Sequence, residues 1–196
     1  INLMKHLLLV FLVSTLSLYG QSPVLEAVRQ SDHSRLQSLI EAQRDLNATV
    51  ANGMTALHQA ALQDDLKCVR MLLEGKANPS VVTDYGITPL WLACQNGNAS
   101  MVKTLLKAGA VVDQISHGKQ SALMMAARAG SLESVQALAN QGAELNTREN
   151  RGQTAIMWAS AEGHADVVAW LIEAGADFRS PLKSGFTPLF FALRGG

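Results

Sequence analysis

The sequence is short of aromatic residues, at 5%, and of charge, at 16% against about 25% in an average soluble domain. The charge it has cancels, with 16 Lys plus Arg against 16 Asp plus Glu. Such a balance leaves no basic footprint for a phosphate backbone and no acidic tail, so a nucleic-acid partner is not expected. Cysteine is equally scarce. Cys68 and Cys94 are too few for a disulfide scaffold and lie outside any CxxC or Cys/His ligand spacing, so two free, packed thiols are expected. Phosphate-cradling GxxxxGKS/T and GxGxxG runs are missing, as are an HExxH pair and a nucleophile motif. No catalytic residue, metal or cofactor is therefore expected. Apolar side chains are plentiful, 48% of 196 residues, enough to bury a substantial core.

The first of that apolar material is a block from Leu7 to Leu18, preceded by Met4-Lys5-His6 and closed by Tyr19-Gly20. A short basic start, about 12 apolar residues and a small closing residue are the parts of a secretory signal peptide. A bilayer-spanning helix needs about 20 apolar residues, so the block is too short to be one. Cleavage is expected after Gly20, giving an exported chain of bacterial type, periplasmic or secreted, with no stable membrane span. Ile1-Asn2-Leu3 reads as lying upstream of a start at Met4.

The remainder repeats itself. Thr55-Ala-Leu-His58, Thr88-Pro-Leu-Trp91, Ser121-Ala-Leu-Met124, Thr154-Ala-Ile-Met157 and Thr187-Pro-Leu-Phe190 follow one another at intervals of 33, and one more step back reaches Ser22-Pro-Val-Leu25. Five residues after each hydroxyl stands Ala27, Ala60, Ala93, Ala126, Ala159 or Ala192; seventeen after it stands Leu39, Leu72, Leu105, Leu138 or Leu171. Each period has a direct physical reading. The hydroxyl caps a short helix, the Ala lets the neighbouring unit approach, and a polar break such as Asn96-Gly97-Asn98 turns the chain. A second helix then carries an apolar stripe, for example Met101, Val102, Leu105 and Leu106, and stops at Gly109, Gly142 or Gly175. About a dozen residues rich in Asn, Asp and Gly lead to the next hydroxyl as an extended turn.

A helix-turn-helix plus finger of period 33 with Thr-Pro-Leu-His-x-Ala resembles the ankyrin repeat, over residues 22 to 196. The resemblance implies an all-α solenoid. The period divides the chain into a signal segment (1–20), a capping repeat (21–51), repeats at 52–83, 84–116, 117–149 and 150–182, and a partial sixth (183–196). Two departures, Lys76 where the helix-ending Gly is expected and Lys119 in place of the Gly two before Ser121, predict distortion at those two points. The sixth unit stops after one helix, so the natural protein is expected to continue past residue 196.

The resemblance also implies that another protein binds the concave side, built from finger tips and the outward side of each first helix. Mapped onto this sequence, that side takes in Met54, Asp84, Tyr85, Ile87, Gln95, Asn96, Gln120, Arg128, Arg151, Gln153, Glu162 and Phe186. Tyr85, Ile87, Met54 and Phe186 would be apolar anchors in a polar surround. Large apolar groups replace the motif His in the column Leu25, His58, Trp91, Met124, Met157 and Phe190, which is expected to be inter-repeat core. Trp158, in the adjacent column, is the member expected to reach the binding side. His58 takes the family's backbone-bonding position, and His33, His117 and His164 are assigned structural roles. The expectation is a monomeric, non-enzymatic, exported protein-binding scaffold. Its rivals are an interaction module of a larger enzyme or secreted effector whose catalytic part lies beyond residue 196, and a small-molecule or metal binder using the Met and Trp column with the histidines.

Overall fold

Helices of seven and nine residues do not persist alone in water, because nucleating a helix costs more than so few hydrogen bonds return. In this chain they alternate, and packing holds them. The computed structural model describes residues 22–182 together with Gly185 and Thr187. Among these, ten α-helices and no strand are found. The shorter helices are α1 (Pro23–Arg29), α3 (Ala56–Leu62), α5 (Pro89–Gln95), α7 (Ala122–Arg128) and α9 (Ala155–Ala161). The longer ones are α2 (His33–Glu41), α4 (Leu66–Glu74), α6 (Ala99–Lys107), α8 (Leu132–Asn140) and α10 (Ala165–Glu173). The signal segment, Phe186 and all of the partial sixth repeat except Gly185 and Thr187 lie outside the described residues.

Side-chain caps set most helix starts. Ser22, Thr55, Thr88 and Ser121 each accept the N–H three residues on, while Pro23 and Pro89 occupy first helical positions where no N–H is needed. Thr154 departs from the expectation: its hydroxyl makes no capping bond and is buried without a partner. Asp32, Asp65 and Asn98 cap α2, α4 and α6, each accepting the N–H three residues on.

Each shorter helix packs against the shorter helices before and after it, each longer one likewise, and the two members of a pair pack on each other. Ala27, Ala60, Ala93, Ala126 and Ala159 are wholly buried between units, where a larger side chain would push neighbouring helices apart. Leu72, Leu105, Leu138 and Leu171 fill the space between longer helices; Leu39, in the first pair, is only half-buried. The product is an all-α solenoid held by nearest-neighbour contacts.

The two expected distortions do not occur. Lys76 adopts the left-handed conformation (φ 69°) that Gly109 takes at the end of α6, and the bond from Ala77 N–H to Leu72 O matches that from Ala110 to Leu105. Lys119 (φ 58°) likewise stands in for Gly86 and Gly152, with Lys119 N–H donating to Ser116 O. The geometry is kept at the cost of local backbone strain. Gly75 has a different reason to be glycine: a Cβ there would lie 2.7 Å from Leu46 Cδ1.

Candidate binding face

The connections between pairs are closed turns in register. Val50, Thr83, Ser116 and Glu149 each donate a backbone N–H to the carbonyl four residues on, at Met54, Ile87, Gln120 and Gln153. Inside these turns a buried side chain satisfies the remaining donors. Thr83 Oγ1 accepts from Ile87 N–H at 3.1 Å, Ser116 Oγ from Gln120 N–H at 3.1 Å, and Glu149 Oε1 from Arg151 and Gln153 N–H at 2.8 and 3.0 Å. A buried carboxylate at Glu149 is tolerable because those amides solvate it.

Successive turns are then tied together through the backbone. Asp84 N–H donates to Asn52 O, His117 N–H to Tyr85 O, and Asn150 N–H to Gly118 O, at 2.9, 2.9 and 3.2 Å. At their bases Asn47, Ser80, Asp113 and Asn146, again 33 apart, accept the N–H groups of Asn78, Val111, Glu144 and Asp177. The tips therefore form one connected row rather than independent loops.

The residues picked out by the sequence fall into three groups. At the tips, Asp84, Tyr85 and Arg151 are exposed, and Tyr85, 63% accessible, meets the His117 ring edge-on at 6.5 Å between centroids. At the ends of the shorter helices, Gln95, Arg128 and Glu162 line a shallow depression with Met125 and Ala129. There Arg128 Nε lies 3.3 Å from Glu162 Oε1, and its guanidinium sits 5.0 Å from the centre of the Trp158 ring. That stacking is a cation–π contact, and it leaves Trp158 half-buried beneath Arg128. The third group is less available. Met54, Ile87, Gln120 and Gln153 are half-buried; Ile87 packs on the core and its carbonyl accepts from His58. Asn96 is exposed, but its amide donates to Ala61 O at 2.9 Å and so bridges two units.

In the neighbouring column Leu25, His58, Met124 and Met157 are buried, and Trp91 is half-buried. The indole N–H groups of Trp91 and Trp158 are buried without hydrogen-bond partners. His58 is bonded on both sides: Nδ1 accepts from Thr55 N–H at 3.2 Å and Nε2 donates to Ile87 O at 3.0 Å. Burial outweighs the carbonyl bonds and lowers its pKa, so the ring is neutral with its proton on Nε2. His164, by contrast, lies at the start of α10 with Nε2 2.9 Å from Arg128 O.

Both cysteines are free and buried. Burial alone pushes the Cys94 thiol up; burial and the adjoining Asp65 push Cys68 up to about 12. Neither is an activated nucleophile. One grouping escaped the sequence: His33 Nε2 is 3.1 Å from Asp65 Oδ2, and the His33, Asp65 and Cys68 donor atoms all lie within 4.8 Å of one another. Burial opposes ionisation of Asp65, but the Cys68 bonds and His33 together hold its carboxyl below the usual range. The signal was a near-period spacing, since His33 and Asp65 are 32 residues apart.

A row of polar turns in register, backed by stacked helix pairs, defines a repeat-solenoid interaction module. The family model for ankyrin repeats matches residues 2–83, 24–116, 75–149 and 123–196, and the chain belongs to the ankyrin repeat family. Ankyrin repeats generally mediate protein–protein interaction. No curated protein matches the chain. Among the described residues, no helix is long and apolar enough to cross a membrane.

Proposed function

We propose that the protein is an exported, non-catalytic scaffold that captures another protein on its concave side, with Tyr85 as the central anchor. The observation that carries this reading is a large aromatic side chain, 63% exposed, on a backbone-tied row of turns and flanked by polar groups. A tyrosine at such a place offers wide contact area for little lost rotamer entropy, the composition of an interface hot spot. Arg128 and Glu162 supply a second, polar contact area. Their charges are paired with each other when free, so a partner must offer matching groups to displace that pairing.

A photo-crosslinking amino acid placed at position 85 tests the reading, with the same probe at exposed Lys107 in the longer-helix layer as comparison. Capture of one defined protein from position 85 and not from 107 is expected; equal capture from both would refute the assignment. Export rests on the Leu7–Leu18 block and is tested separately. Amino-terminal sequencing of chain recovered from the periplasm or medium should begin at Gln21, and retention in the cytoplasm with residues 4–20 attached would overturn it.

A further inference from the structure

We propose that His33, Asp65 and Cys68 form a binding site for a zinc-like divalent cation, clamping the first helix pair to the second. His33 opens α2, Asp65 caps α4 and Cys68 lies in the first turn of α4, so the donors come from two units that the fold packs together. Zinc bound tetrahedrally to imidazole, carboxylate and thiolate, with bond lengths of about 2.0–2.1, 2.0–2.2 and 2.3 Å, has donor–donor edges of about 3.3 Å between N and O and about 3.6 Å to sulfur. The His33 Nε2 to Asp65 Oδ2 distance, 3.1 Å, already matches one edge, and the 4.8 Å bound on the whole set leaves only side-chain rotation to close the others.

The division of labour within Asp65 supports the assignment. Its Oδ1 accepts the N–H of Cys68 at 2.9 Å as a helix cap, while Oδ2 is the oxygen nearer His33 Nε2, at 3.1 Å against 3.4 Å for Oδ1, so an ion entering there exchanges one hydrogen bond for two coordinate bonds. The carboxylate thus stays oriented whether or not an ion is bound, as outer bonds do at built metal sites. Three protein donors leave a fourth position, and it opens to water because the His33 and Asp65 side chains are 31% and 14% exposed while Cys68 is buried behind them. A thiol with an imidazole selects zinc or cobalt over calcium and magnesium, which prefer oxygen throughout. On binding, the dication displaces the Cys68 thiol proton to solvent and takes the His33 Nε2 lone pair, the proton shared between Nε2 and Asp65 passing by solvent exchange to Nδ1; one thiolate and one carboxylate then neutralise the ion, with His33 neutral. Exposed Lys67 favours the thiolate, but burial and Asp65 outweigh it in the metal-free chain, so the dication itself must draw the proton off.

The test is a titration of the reduced, purified chain with Co2+, which reports a thiolate ligand by a near-ultraviolet charge-transfer band and a tetrahedral site by intense visible bands. The wild type should develop both, and Zn2+ should bleach them. Cys94→Ser should behave as the wild type. Cys68→Ser should lose the charge-transfer band, and His33→Gln, at a half-exposed site where folding is not at risk, should weaken binding about tenfold or more. Zn2+ should raise the thermal midpoint of the wild type but not of His33→Gln. Absence of the thiolate band in the wild type would overturn the proposal, as would a band that survives Cys68→Ser or an affinity unmoved by His33→Gln.

Discussion

Replacing His58 with Met is the sharpest probe of how the solenoid is held together. Position 58 falls in a column where Met124 and Met157 are buried without difficulty, so the variant has room to fold. What it loses is both ring bonds: the Thr55 N–H is orphaned, and the Ile87 carbonyl gives up the bond that joins the second unit to the third while keeping the Thr83 N–H. The orphaned N–H costs about 1–3 kcal/mol and the lost carbonyl bond about 0.5–1.5 kcal/mol, partly offset by the greater apolarity of Met, so a net loss near 2 kcal/mol is expected.

The same exchange has a pH signature with a definite sign. The folded-state pKa of His58 lies below its ordinary 6.5, so below that pH the unfolded chain binds a proton that the folded chain refuses. The stability contributed by neutral His58 is therefore present above 6.5 and is lost as pH falls towards the folded pKa. One unit below 6.5 the loss reaches up to about 1.4 kcal/mol, which is RT ln(1 + 10). A proton on Nδ1 would also point at the Thr55 N–H, donor against donor. Urea unfolding followed by circular dichroism at several pH values between neutral and mildly acid should show the wild type converging on the variant as pH falls. Parallel decline of the two proteins would refute the argument, because other acid-sensitive groups are common to both.

Three further perturbations separate structural from binding positions. Leu105→Ala empties a wholly buried site between longer helices and should cost about 2–5 kcal/mol in urea unfolding; a loss below about 1 kcal/mol would mean the neighbours close over the gap. Lys76→Gly should raise stability by up to about 1 kcal/mol by relieving a left-handed lysine, and Gly109→Lys should lower it comparably, with matching thermal shifts of opposite sign. With the crosslinking probe moved to exposed Asp84, Tyr85→Ala should abolish partner capture at little cost to the thermal midpoint, whereas Ile87→Ala should lower the midpoint because Ile87 packs on the core.

Much of the fold was legible because its columns recur at 33. The alanine column, the hydroxyl caps and the leucine column each report one packing requirement several times over, so a departure at any single unit does not hide the pattern. Lys76 and Lys119 show the limit of that reading. Glycine is the cheapest residue at a left-handed position, yet the surrounding hydrogen bonds were enough to impose that conformation on lysine, and the expected distortion was absent. Thr154 shows the converse, a motif hydroxyl in place without its capping bond. Half-burial of Met54 and Ile87 was not legible either, since whether a finger residue points out or leans onto the core depends on how each turn closes.

Contacts between units obey a different arithmetic, and it decides which surface residues are available to a partner. Side chains that reach across one layer join positions 29 to 36 apart, among them His58 to Ile87, Asn47 to Asn78, His33 to Asp65, Asn96 to Ala61 and His164 to Arg128. A column read straight down at 33 cannot display these offsets, so Asn96 looked like a free binding group when its amide is already engaged. Subtracting every residue so engaged leaves Tyr85, Asp84, Arg151 and Gln95 without a cross-layer side-chain bond among the described residues, and Arg128 with Glu162 as a mutual pair exposed to about half. A partner that displaces this pair must return what it breaks, so that pair contributes selectivity. Tyr85 has no comparable bond to break, and the burial of its ring on capture is net gain.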